Sequence, residues 1–179
     1  ADDIRDFQIE GMSIGDSLLK FMSVDEINNN TFKNYFKNGK KRKYYATGFY
    51  DSDKYDQLEI YIKTGDDNFK IRAITGFTMI NKLKKCLSLK DGIVDEIQSL
   101  FINIEPEFYN DVSHTFDKSG NSKQYQAAFL LKNDAEKDHI RIECTKWSKK
   151  IKKEKNFSDS LGISVFLTET LEWVANGYQ

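Results

Sequence analysis

The chain is poor in the residues that build dedicated chemical sites. It has one proline, two cysteines and two histidines in 179 residues. Two cysteines with no neighbouring histidine cluster cannot supply the four ligands of a structural zinc site. No apolar run approaches the ~20 residues that a membrane-spanning helix needs. The longest, Ala127 to Leu131, is strand-sized. Neither sign of charge dominates: 27 Lys and Arg stand against 28 Asp and Glu, a net charge of -1. That balance argues against a general nucleic-acid binder, which would show a basic excess, and leaves room only for a local basic patch. There is no Gly-x-Ser-x-Gly nucleophile elbow and no glycine run of the phosphate-cradling kind. Asp51 and Asp53 lack the central Gly and closing Glu of an EF-hand loop. They and Asp66-Asp67 read as turns. No cofactor and no catalytic residue is expected from these patterns.

What is present suits a packed core. Hydrophobic residues make up 39% and aromatic residues 13%. A chain of this length buries ~70% of its unfolded surface and needs no staple. The sequence opens Ala1-Asp2-Asp3, without Met, as signal-peptide cleavage at a small residue would leave it. A periplasmic or secreted protein is therefore expected, against the alternative of an arbitrary boundary. In an oxidising compartment Cys86 and Cys144 could pair; in the cytosol they would be buried thiols. Both readings stay open.

The order of elements points to an α+β fold. A helix is expected over Met12 to Phe21, where Ser13 and Asp16 have capping-box spacing and Leu18, Leu19 and Met22 follow at helical intervals. Asn28-Asn29-Asn30 ends that segment. Strands are expected at Tyr44–Tyr50, Leu58–Lys63 and Phe69–Phe77, the second alternating with period two. The order then restarts. Ser88 and Asp91 offer a second capping box, a helix should run from Leu89 to Ile102, and Pro106 lies beyond its end. Strands follow at Tyr125–Leu131, His139–Cys144 and Leu161–Leu167, then a short helix or tail at Glu169–Ala175.

The two halves align. At an offset of 75, Ser13 meets Ser88 and Asp16 meets Asp91. At 80, Phe36 meets Phe116, Tyr45 meets Tyr125, Phe49 meets Phe129, and Ile60 and Ile62 meet Ile140 and Ile142. Ile71 and Ala73 then meet Ile163 and Val165. A repeat of this period predicts two tandem helix-plus-antiparallel-meander units, 1–80 and 81–179, packed into one compact body. The stretch Gly11-Met12-Ser13-Ile14-Gly15-Asp16-Ser17-Leu18-Leu19 resembles the entry motif of the SmpA/BamE-type and β-lactamase-inhibitor-protein-like fold. The second half departs from it, with Cys86-Leu87 at the Gly-Met position. The resemblance implies a non-enzymatic binding or scaffold role outside the cytoplasm. The alternative is a small-molecule carrier or enzyme built on a single helix-over-curved-sheet fold, its aromatics lining a pocket.

Two surfaces are candidates for a protein partner. If Leu58, Ile60 and Ile62 face the helices, alternation turns Tyr61 outward, and with it Tyr44, Tyr50, Arg72, His139 and Arg141. Tyr and Arg are enriched at interaction hot spots. The second surface is the basic insertion Lys146–Lys155, expected as a long hairpin loop, in which Trp147, Lys149 and Lys150 could meet an acidic partner or an anionic membrane surface. A further basic stretch spans Lys37 to Lys43. His114 reads as a loop histidine.

Overall fold

The computed structural model describes residues 3–32, 42–50, 52–101, 103–133 and 136–176. Phe36 and most of the Lys37 to Lys43 stretch lie outside them. The chain is α+β; its described residues form one seven-stranded sheet, antiparallel at every pairing. The strands are β1 (Tyr44–Tyr50), β2 (Gln57–Lys63), β3 (Ile71–Met79), β4 (Glu107–Ser113), β5 (Lys123–Asn133), β6 (Glu136–Lys146) and β7 (Ser160–Phe166). Their spatial order is β1-β2-β3-β7-β6-β5-β4. The helices are α1 (Val24–Asn29), α2 (Leu83–Leu100), α3 (Lys149–Lys155) and α4 (Thr168–Ala175).

Period-two alternation gives the sheet two distinct faces. On one face Leu58, Ile60 and Ile62 of β2, Ala127, Phe129 and Leu131 of β5, and Ile140, Ile142 and Cys144 of β6 form the main core. It is covered by α2, through Cys86, Val94 and Ile97, by Ile27 of α1, and by Ile4, Ile9, Met12, Ile14 and Leu18 of the N-terminal segment. Cys86 of α2 and Cys144 of β6 are joined by a disulfide, with Cα atoms 5.9 Å apart. On the other face a smaller cluster of Tyr44, Ala46, Tyr61, Ala73 and Phe166 gathers around Trp173 of α4.

Several expectations need correction. Met12 to Phe21 is not an α-helix; only Leu18–Lys20 within it forms a short 3-10 turn, with the Ser17 hydroxyl accepting from Leu19 N–H. Gly11 and Gly15 have φ of 75° and 86°, which breaks any continuous turn. The segment instead lies along β3, with Gly15 N–H donating to Ile71 O and Ile71 N–H to Asp16 O, both at 2.9 Å. Asp16 does accept from Ser13 N–H at 3.1 Å, so half of a capping box closes, around a turn. The first α-helix is α1, capped by a complete box of Ser23 and Glu26. Ser88 and Asp91 cap nothing, because α2 starts at Leu83 and they lie inside it. The basic insertion holds the capped helix α3, with Ser148 accepting from Ile151 N–H, and is not a plain hairpin loop. Strand β4 was not expected at all. Ala73 and Val165, aligned above, point to opposite faces of the sheet.

Candidate binding face

The face opposite α2 is only partly covered. Helix α4 lies across one corner, over Tyr44, Tyr61 and Phe166. From there toward β4 the side chains cross the sheet in rows fixed by register. One row reads Phe77, Gly162, Glu143, Gln126, Tyr109. The next reads Thr75, Ser164, Arg141, Ala128, Glu107. A third reads Phe166, His139, Leu130.

Glu143 organises the centre. Its Oε2 accepts from Gln124 Nε2 and Gln126 Nε2, each at 3.1 Å, and lies 3.2 Å from Arg141 Nε. The carboxylate is buried, so the two amide donors replace water it has lost, and the Arg141 charge beside it offsets its own. Gly162 makes room for this arrangement. A Cβ there would meet the Phe77 ring at 3.3 Å and Glu143 Cγ at 3.5 Å. The Arg141 guanidinium lies over the Phe166 ring, 5.1 Å from its centroid, a cation–π contact that helps place it. Beside it, above the small side chain of Ala128, is a hollow of about 320 Å³. Glu107, Tyr109, Gln126, His139 and Arg141 supply its polar wall, and Leu130, Phe166 and Leu171 its apolar wall.

The far end of the same face carries an aromatic cluster. The Trp147 ring lies 4.3 Å from His114, 4.9 Å from Phe157 and 6.2 Å from Phe116. Burial lowers the His114 pKa below its ordinary 6.5, the nearby Glu143 opposing that shift. Its Nδ1 accepts from Phe116 N–H, which fixes that nitrogen as unprotonated. The loop from His114 to Ser122 is held by Asp117, which accepts from the backbone and hydroxyl of both Ser119 and Ser122. These bonds hold its carboxyl well below the usual carboxylate range. Ser122 Oγ in turn accepts from Ser148 N–H at 2.9 Å, so the loop and the start of α3 are one structure.

The residues singled out in the sequence fall in four places. His139 and Arg141 meet at the hollow. Trp147 is half-buried in the aromatic cluster, and Lys149 and Lys150 are exposed on the first turn of α3. Tyr50 is exposed at the outer edge strand, away from the hollow. Arg72 sits at the irregularity of β3, within 4.0 Å of Asp66 and Glu169. Tyr61 points to the expected face but is only 5% exposed, beneath Trp173. Tyr44 is wholly buried there too, its phenol pushed up to about 12 by burial and by the Glu169 carboxylate. Neither tyrosine can touch a partner while α4 is in place. Sequence reasoning missed Glu107, Tyr109, Gln126 and Ala128. The only available signal was alternation in β5, which puts Gln124, Gln126 and Ala128 on the face opposite Phe129.

Among the described residues no three His, Cys, Asp or Glu side chains are grouped to hold a metal ion, and no helix is long and apolar enough to cross a membrane. No protein-family model matches the chain, and no curated protein or solved structure matches it either.

Proposed function

We propose that this is an exported, non-enzymatic binding protein made of two related helix-plus-meander units, 1–80 and 81–179, that works through the open face of β4 to β7. The observation that carries the reading is the Glu143 cluster. Buried polar groups on that face are held by one another and stand beside an open hollow, which is preorganisation for a ligand or partner.

The sheet order supports the duplication. Two three-stranded meanders, β1-β2-β3 and β5-β6-β7, joined edge to edge through their last strands would give this order, with β4 added outside. Tyr45 and Tyr125, Phe49 and Phe129, and Ile60 and Ile140 all face the same core. Tandem helix-plus-meander units are also what the resemblance to the β-lactamase-inhibitor-protein-like fold implies. The Cys86–Cys144 bond supports an oxidising compartment, where disulfides persist.

Site-specific photo-crosslinking tests the reading. A photo-reactive residue at Tyr109, on the open face, should capture a defined partner from an extract of the producing cells. The same residue at Leu89, exposed on α2, should not. Equal capture at both positions, or capture at Leu89 alone, contradicts it.

A second contact surface, for anionic membrane, is favoured by one observation. Lys123 and Lys146 are direct cross-strand neighbours, a like-charge pair that an outside anion would relieve. They adjoin the exposed Lys149, Lys150, Lys153 and Lys155 of α3. Binding to vesicles containing phosphatidylserine should appear at low salt and fade at high salt. Binding that is absent, or indifferent to salt, removes this surface.

A further inference from the structure

Glu107 and Arg141 flank Ala128 in one row of the sheet, Glu107 on β4 and Arg141 on β6. Two strand spacings separate them, about 10 Å between backbones. Both side chains line the hollow, yet no ion pair joins them. Among the described residues Glu107 accepts from the Tyr109 hydroxyl alone, which leaves its carboxylate with acceptor capacity. Arg141 brings Nε within 3.2 Å of Glu143 and its guanidinium over the Phe166 ring. Among the described residues nothing bonds its two terminal amino groups, which form the edge that matches a carboxylate with two parallel hydrogen bonds.

A site with an anion at one side, a cation at the other and a small floor between them suits a molecule carrying both charges. The remaining wall, Leu130, Phe166 and Leu171, is apolar and lies to one side of the charged row. We propose that the hollow binds a free α-amino acid with an apolar side chain. Its ammonium group would meet Glu107, its carboxylate Arg141, and its side chain the Leu171 wall. The volume, about 320 Å³, is at the small end of ligand sites and fits a single residue. This rests on the reading of the open face as the binding surface and adds the ligand class.

The test is calorimetric titration of the intact protein with L-leucine, N-acetyl-L-leucine and L-leucinamide. The second probe lacks the ammonium group and the third the carboxylate. L-leucine should bind, and each derivative should bind about tenfold more weakly or worse, the loss expected for a charged hydrogen bond. Glu107→Gln, on an exposed edge position, leaves the fold intact. It should weaken L-leucine and bring it level with N-acetyl-L-leucine. No binding of L-leucine at millimolar concentration, equal binding of all three probes, or an unchanged preference in Glu107→Gln would overturn the proposal. Crosslinking at Tyr109 is read separately. If it succeeds while L-leucine fails, the ligand class is wrong and the face is right; if both fail, the face is wrong as well.

Discussion

Tyr61 of β2 lies beneath Trp173 of α4, edge to face, with ring centroids 6.2 Å apart. Tyr44 of β1 meets the same indole at 5.3 Å. One aromatic ring therefore closes a second, small core on the face opposite α2. Trp173→Ala should cost about 3–5 kcal/mol, the usual range for deleting a buried large aromatic. The urea midpoint measures it. The Tyr44 phenol gives an independent readout. Its pKa, held up to about 12 in the native protein, should fall back toward 10 in the variant.

The same phenol makes stability depend on alkaline pH. Its folded pKa is raised, so the native state keeps a proton that the unfolded chain loses. This stabilisation is fully present below pH 10 and is lost as pH rises from 10 to about 12. Tyr44→Phe should flatten that part of the pH-stability profile.

His114 acts at the acid side. Its folded pKa lies below the ordinary 6.5, so between the two values the unfolded chain binds a proton that the native state does not. Stability is full above pH 6.5 and falls as pH drops through that window. Trp147 reports the event, because a protonated imidazole in contact with an indole quenches its emission, and Trp173 is buried elsewhere. Emission should fall on acidification with a midpoint below 6.5, and His114→Gln should abolish the transition.

The Cys86–Cys144 bond spans 58 residues of sequence. On the chain-entropy account, closing such a loop contributes about 4 kcal/mol. The doubly substituted Cys86→Ser, Cys144→Ser protein should lose that amount in chemical denaturation, and the reduced wild-type protein should lose a comparable amount.

Glu143→Ala should be costlier than its size suggests. It would leave the Gln124 and Gln126 amides without their shared acceptor and Arg141 without its counter-charge, and each buried donor stranded this way costs about 1–3 kcal/mol. Glu143→Gln keeps one acceptor and should recover part of the loss. The comparison of the two midpoints separates hydrogen bonding from charge.

Much of the sheet was legible because its signal is local. The alternation of Leu58, Ile60 and Ile62 requires only a buried face, and β1 runs over the expected Tyr44–Tyr50. The end of α2 was readable from Pro106; its start was not, because Lys82 caps it without a side-chain hydrogen bond. Ser13 and Asp16 misled because capping-box spacing also closes a turn, and Gly15 in the left-handed region decides between the two. Strand β4 escaped because Asp111, at φ 56°, and a register shift between Tyr109 and Val112 break its alternation. The binding face was half legible. His139 and Arg141 follow from period two, but Glu107 comes from the hidden strand. Tyr61 was misjudged because its cover, α4, arrives from more than a hundred residues away.

The measurement that bears most directly on the open face is capture by the Tyr109 crosslinker in an Ala128→Trp background. Ala128 is the floor of the hollow, and an indole there fills the space between Glu107 and Arg141 while leaving α2 and the main core untouched. Capture should fall about tenfold or more, the loss of a hot-spot contact, with the thermal midpoint nearly unchanged. Capture at the wild-type level in a folded Ala128→Trp protein would contradict the account.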